Sequence, residues 1–104
     1  MPRITFSDLA IADVLQQADW YETRADWKLA LRWEKAVTST ALSIAKVPRA
    51  GAPCTFQADQ LSGTRRLPVA GFPKHLLFYQ FREDEIRVLR VVHGARDLET
   101  LFSN

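Results

Sequence analysis

Three polar residues lie close together near the C-terminal end of the sequence, where a predicted strand runs into the segment HGARD. Gly94 lets the backbone leave the strand, so the side chains of His93, Arg96 and Asp97 cluster at one corner of a sheet. An imidazole can act as a general acid or base, and a guanidinium can hold a phosphate or carboxylate. Alternatively, Arg96 and Asp97 pair with each other or cap a short terminal helix, Leu98–Phe102, while His93 hydrogen-bonds a neighbouring loop.

The predicted strands also carry a set of arginines, which could hold an anionic group: Arg65, Arg66, Arg82, Arg87 and Arg90. Arg65 and Arg66 are consecutive, so they point to opposite faces of one strand and at most one of them lines a given surface. Arg90 shares a strand face with Ile86, Val88 and Val92. We therefore expect Arg90 to be partly buried and paired with an acidic residue of the helices.

Composition limits the classes of function that remain. The 104 residues form one domain, residues 1–104, and carry a formal net charge of +2, a weak balance for a protein that grips polyanions. No apolar stretch is long enough to span a membrane, and the N-terminus MPRITFSD lacks a signal-peptide core, so we expect a cytoplasmic protein. Cys54, His75 and His93 are too few and too scattered for a structural zinc site, and no Gly-rich phosphate loop is present. The sequence predicts neither a metal nor a cofactor.

The first half of the sequence predicts a strand and two helices. Arg3–Phe6 alternates as a strand does, and Ser7 can cap the helix that follows. That helix has one apolar stripe at three- and four-residue steps: Ile11, Val14, Leu15, Ala18 and Tyr21. Thr23 and Asp26 have the spacing of a capping box for a second helix, which Pro48 ends. A link this short predicts an antiparallel helical hairpin.

The second half predicts strands. After the long connection 48–62, the strands are Thr64–Val69, His75–Phe81 and Glu85–His93, with Gly71-Phe72-Pro73 as a turn between the first two. We expect Phe56 and Leu61 to hold the connection on the core. The order β-α-α-β-β-β predicts an α+β fold, with an antiparallel sheet, the N-terminal helical hairpin on one face and a short C-terminal helix.

The order of these strands and their turns is also typical of a known family. The run GTRRLPVAGFPKH, followed by LLFYQF and DEIRVLRVVHGARDL, resembles the ParE branch of the ParE/RelE toxins of bacterial type II toxin–antitoxin systems. The resemblance implies the same fold and a toxin that binds DNA gyrase, blocks DNA replication and catalyses nothing. It also implies a plasmid-stabilization role and a cognate ParD-like antitoxin that forms a hetero-oligomer with the toxin. We expect no direct DNA binding by the toxin alone and no membrane partner.

The resemblance extends to candidate sites. We expect gyrase to be bound by polar residues of the strands, namely His93, Arg96, Arg87 and Arg65. We expect the antitoxin to cover residues of the hairpin, namely Trp20, Trp27, Leu31 and Trp33. An alternative is a RelE-like, ribosome-dependent mRNA endonuclease that uses His93, Arg96, Arg65 and Arg90. The ending LETLFSN has neither the tyrosine nor the histidine typical of that branch. A third interpretation is a related chain that has lost toxicity and serves as a binding module.

Overall fold

A computed structural model describes residues 1–94, which form two helices and a five-stranded sheet. The elements are β1 (Arg3–Phe6), α1 (Asp8–Arg24), α2 (Trp27–Lys46), β2 (Ala52–Pro53), a 3₁₀ turn (Asp59–Leu61), β3 (Arg65–Val69), β4 (Phe72–Arg82) and β5 (Glu85–His93). The strand order is β1-β5-β4-β3-β2. The predicted α+β fold with an N-terminal helical hairpin is confirmed. The predicted terminal helix Leu98–Phe102 lies outside the described residues.

The sheet is mixed, whereas the sequence predicted antiparallel pairing throughout. β1 runs parallel to β5, with Ile4 opposite Ile86 and Phe6 opposite Val88. The helical hairpin causes the parallel pairing. α1 leaves the C-terminal end of β1, and α2 brings the chain back to the level of that end. β3 then continues in the direction of β1, and two chain reversals bring β5 into the same direction. Parallel neighbours need such a long crossover, and here the helices supply it.

Both helices begin at side chains that accept a hydrogen bond from a backbone N–H. The Ser7 hydroxyl accepts from the amide of Ala10 at 3.0 Å, as predicted. The carboxylate of Asp26 accepts from the amide of Leu29 at 2.9 Å. The predicted capping box at Thr23 is wrong, because Thr23 lies inside α1. The extended backbone that an N-cap needs is reached only at Asp26.

The core lies between the hairpin and the sheet, and its centre is Trp33. This indole is fully buried and donates from Nε1 to the carbonyl of Val14 at 3.0 Å, which fixes α2 against α1. Strand residues that meet the helices include Leu77, Tyr79, Ile86 and Val88. On α1 the small residues Ala10 and Ala18 face inward, while Ile11 and Leu15 are about half exposed. The buried face of α1 is therefore rotated relative to the predicted apolar stripe. Small side chains on this face let the backbone of α1 approach its neighbours closely.

The other face of the sheet is partly covered by the connection between β2 and β3. Phe56 packs its ring 6.3 Å from that of Phe78, and Leu61 is buried, as predicted. The amide of Gln80 donates to the carbonyl of Gln60 at 2.9 Å. β4 begins at Phe72, three residues before the predicted start, because the preceding turn needs only Ala70 and Gly71, whose φ is +80°. In the described part of the chain, neither helix is long and apolar enough to cross a membrane.

Candidate functional site

A cavity of about 660 Å³ opens between the second half of α1 and the end of the sheet where β4 begins and β5 ends. Its aromatic wall is formed by Trp20 and Tyr21 of α1 and Phe72 of β4. Its lining also includes Lys74 and His75 of β4 and His93 of β5. The volume is within the range of about 300–1,000 Å³ that is common for ligand sites. This cavity contains His93, the leading sequence candidate.

The two histidines of the chain face each other across the cavity floor. His75 and His93 are register partners, and their ring centroids are 5.5 Å apart in an edge-to-face arrangement. The His75 ring also packs 4.8 Å from the indole of Trp33. Burial lowers the pKa of His75, and the neighbouring His93 lowers it further. His75 therefore favours its neutral form, in which one ring nitrogen can accept a proton.

A bulge in β5 brings the two imidazoles together. From the β4–β5 turn the register runs regularly to the pair Tyr79 and Val88, and the next pair is Phe78 and Arg90. Leu89 is therefore an extra residue in β5. Without it, His75 would lie opposite Val92, and His93 would be displaced from the pair. A one-residue bulge of this kind re-aims the side chains that follow it.

Asp13 of α1 lines the same cavity and holds Arg90 of β5 in a two-point ion pair. Its carboxylate accepts from Nε of Arg90 at 2.8 Å and from Nη2 at 2.9 Å, and also from the backbone amide of Val91 at 3.0 Å. Both side chains are only 10% exposed. The hydrogen bonds to Asp13 raise the pKa of Arg90. The predicted acidic partner of Arg90 on a helix is thus confirmed, and this arginine is committed to a structural pair.

The other predicted strand arginines lie away from the cavity. Arg65 donates from Nη1 to the carbonyls of Gly51 at 2.7 Å and Arg49 at 3.3 Å, so it holds the connection that follows α2. Arg87 is exposed and lies six residues before His93 on β5, roughly 20 Å along the strand. Arg96 and Asp97 lie outside the described residues. Among residues 1–94, the predicted target-binding side chains do not converge on one place.

The predicted antitoxin-binding residues divide into surface and core. Trp20, Trp27 and Leu31 are 51%, 60% and 41% exposed. Trp33 must be removed from this group, because it is fully buried and its indole N–H is bonded inside the hairpin. Trp27, six residues earlier on the same helix, lies at the surface instead.

Several residues of these surfaces were not selected from the sequence. Lys74, Tyr21 and Phe72 line the cavity, although the pattern placed Phe72 in a turn. Ile11 and Leu15 are exposed on α1, although their stripe was predicted to face the core. Ile11 and Leu15 on α1, and Trp27 and Leu31 on α2, are each four residues apart, so each pair forms an exposed apolar line on its helix.

Comparison with known proteins identifies the family. The sequence matches the family described as "ParE toxin of type II toxin-antitoxin system, parDE" over residues 4–98. The chain belongs to the ParE toxin family. It is a type II toxin by that membership, as the resemblance in the strand half predicted.

Solved structures share the fold of this ParE-family toxin. A chromosomal ParDE toxin–antitoxin system from P. aeruginosa is similar with a TM-score of 0.72 and 19% identity, covering 89% of this chain and 96% of that one. The intact RelBE toxin–antitoxin complex of E. coli is similar with a TM-score of 0.56 and 12% identity, covering 92% and 100%. The isolated RelE toxin of E. coli gives the same score and identity, covering 97% and 94%. No curated protein sequence matches the chain.

Proposed function

We propose that this ParE-family toxin binds DNA gyrase, blocks DNA replication and is itself no enzyme. The match to the ParE family over residues 4–98 carries the proposal. The geometry supports the proposal, because two of the three arginines that the nuclease hypothesis names, Arg65 and Arg90, are engaged elsewhere. Arg90 is paired with Asp13, and Arg65 binds backbone carbonyls of Arg49 and Gly51. Stabilising a developing phosphate charge requires cations aimed at the reacting group.

A supercoiling assay with purified gyrase tests this function. Increasing amounts of toxin should inhibit supercoiling of relaxed plasmid, and expression in cells should induce the DNA-damage response and filamentation. His93→Ala should weaken the inhibition and leave antitoxin binding unchanged. Lys46→Ala, an exposed substitution at the end of α2, serves as the matched control. Undiminished supercoiling at saturating toxin would remove gyrase as the target.

We further propose that a ParD-like antitoxin covers the exposed apolar line on each helix of the hairpin. Ile11 and Leu15 repeat at a spacing of four on α1, as Trp27 and Leu31 do on α2. Apolar side chains at this spacing fit an amphipathic segment that buries its own apolar face. The P. aeruginosa structure, a ParDE system, makes such a partner the natural expectation.

Calorimetric titration with the cognate antitoxin tests this surface. Leu31→Asp should weaken binding at least about tenfold, because a carboxylate would be buried without a partner. The control Arg32→Ala changes the next residue, on a different side of the same helix, and should bind normally. Equal affinity of both variants for the antitoxin would move the interface away from this line.

A second candidate function is a RelE-like mRNA endonuclease. The specific observation in its favour is the cavity itself, which is lined by Lys74 and by the adjacent imidazoles of His75 and His93. Such groups can transfer protons and hold a phosphate. Incubation with translating ribosomes and a labelled message separates the two functions. If the message is cut by the natural protein and not by His93→Ala, the nuclease function is supported. If the message stays intact while gyrase is inhibited, the first proposal is supported.

A further inference from the structure

The two helices of the hairpin carry opposite net charges. In α1, four acidic residues and one basic residue give a formal charge of −3: Asp8, Asp13, Asp19, Glu22 and Arg24. In α2, four basic residues and one acidic residue give a formal charge of +3: Lys28, Arg32, Lys35, Lys46 and Glu34. Within residues 1–94 the ion pair of these helices is the one between Asp13 and Arg90. The other helix charges therefore remain available to a partner.

The charges alternate with exposed apolar side chains along each helix. Of the ten large apolar side chains that are exposed within residues 1–94, seven lie on α1 and α2. On α2, exposed residues at steps of three, four and seven form what we call the basic line: Lys28, Leu31, Lys35, Leu42 and Lys46. On α1, exposed residues at the same steps form the acidic line: Asp8, Leu15, Asp19 and Glu22.

Two copies of the hairpin can meet through these lines in two symmetrical ways. A two-fold axis across the helices lays each helix on its own copy, so that like charges meet. A two-fold axis that runs between the helices, along their length, lays α1 of each copy on α2 of the other. Opposite charges then meet twice, and the leucines of both lines are buried in the same contact. Charge complementarity therefore selects the second arrangement.

The size of the hairpin limits the strength of such a contact. Helices of 17 and 20 residues are about 25 Å and about 30 Å long. Side by side they present a face about 20 Å wide. Two such faces bury on the order of 1,200 Å², which is the lower end of the range for specific interfaces. We therefore expect a dissociation constant on the order of 10 µM.

We propose that the toxin, when its antitoxin is absent, forms a two-fold symmetric dimer in which the acidic line of each copy lies on the basic line of the other. Leu15 and Leu31 belong both to these lines and to the surface proposed for the antitoxin. A toxin molecule would therefore bind a second copy or the antitoxin, and not both at once. The inference goes beyond the proposed function, because the dimer requires neither gyrase nor the antitoxin.

Sedimentation equilibrium of the full-length toxin alone tests the dimer. Between about 1 µM and about 300 µM protein, the weight-average mass should rise from 11.9 kDa towards twice that value. A toxin that stays monomeric over this range, yet binds the antitoxin more weakly after Leu31→Asp, would assign the lines to the antitoxin alone. That result would overturn the dimer and leave the proposed function standing.

Two charge reversals test the arrangement of the helices. Glu22 and Lys28 flank the turn between the helices, so they lie at the same end of the hairpin. Glu22→Lys and Lys28→Glu should each weaken the dimer about tenfold, because like charges then meet at two places. Neither change opposes folding, since a lysine is favourable in the last turn of α1 and a glutamate in the first turn of α2. Arg87→Glu, at an exposed position of β5, is the control and should dimerise normally.

Mixing the two variants separates a charge effect from a folding defect. In a dimer of Glu22→Lys with Lys28→Glu, opposite charges meet again at both places. An equal mixture should therefore dimerise about as well as the natural protein. A mixture as weak as either variant alone, or reversals that leave the dimer unchanged, would overturn the pairing of α1 with α2 of the second copy.

Discussion

The carboxylate of Asp13 accepts three hydrogen bonds from β5 in a nearly buried position. Asp13→Ala would leave the guanidinium of Arg90 buried without a counter-charge. We predict a loss of about 3–5 kcal/mol in the free energy of unfolding, measured by urea denaturation. Asp19→Ala, an exposed aspartate of the same helix, should change it by less than about 0.5 kcal/mol.

A double variant tests whether the loss comes from the unpaired charge. Asp13→Leu with Arg90→Met replaces the ion pair by apolar side chains, which often restores stability when the volume is similar. We expect the double variant to be more stable than Asp13→Ala alone. If it is equally unstable, the bonds to the β5 backbone, rather than the charge on Arg90, hold α1 in place.

The imidazole of His75 makes stability depend on pH. Its pKa is lowered by burial and by His93, so the folded protein binds fewer protons than the unfolded chain just below the ordinary histidine pKa of about 6.5. Stability is therefore fully present above about pH 6.5 and falls as the pH drops towards the lowered pKa of the folded state. We predict that His75→Gln reduces this loss between about pH 7.5 and about pH 5.5. Urea denaturation at both pH values measures the loss of stability. An equal loss in the natural protein and in His75→Gln would contradict the prediction.

Among the elements, β5 depends most on contacts far away in sequence. Its bulge residue Leu89 accepts a hydrogen bond through its carbonyl from the Ser7 hydroxyl at 2.8 Å, and the same hydroxyl caps α1. The hydroxyl oxygen of Ser7 therefore joins the bulge of β5 to the start of α1, directly after β1. This junction sets the register that pairs the histidines.

We predict that Ser7→Ala lowers the free energy of unfolding by about 1–2 kcal/mol, because both the cap and the bond to Leu89 are lost. The matched comparison is Asp26→Ala, which removes the exposed cap of α2 and its bond to Leu29 alone. Asp26→Ala should lower the free energy of unfolding by less, about 1 kcal/mol. Thermal unfolding of the two variants measures the difference. A larger loss for Asp26→Ala would show that the Ser7 bridge to the sheet adds nothing.

Sequence reasoning found the elements because each has a strong local signal. Ser7 and Pro48 mark helix limits through backbone chemistry, and Glu85–His93 has the alternation of a strand. The topology was predicted only in part, because the order β-α-α-β-β-β does not show that β1 pairs parallel to β5. The cavity could not be found this way, because it depends on the Leu89 bulge and on the rotation of α1 that buries Ala10 and Ala18. Both features are set by packing between distant segments, which periodicity within one element does not report.

Considered as a whole, the molecule has two accessible surfaces of different character on opposite flanks of α1. The cavity is lined by aromatic rings, Lys74 and two histidines, and the exposed lines that contain Leu15 on α1 and Leu31 on α2 are apolar. An apolar line on a small protein favours a protein partner, since burying it is the main gain available on association. The structure therefore allows a protein inhibitor to bind the apolar lines of the helices while the cavity side contacts a target.

The parallel pairing of β1 with β5 also has a consequence for synthesis on the ribosome. β1 is made before the other strands, yet within the described residues 1–94 its neighbour in the sheet is β5, Glu85–His93. Until β5 emerges, the growing chain carries an unpaired β1 and an α1 that lacks its contacts with β5, so we expect the toxin to fold only after Glu85–His93 has left the ribosome. Arrested chains exposed as far as Arg82 should be digested by protease, and chains exposed beyond His93 should resist it. Equal resistance of both would place the folding step earlier.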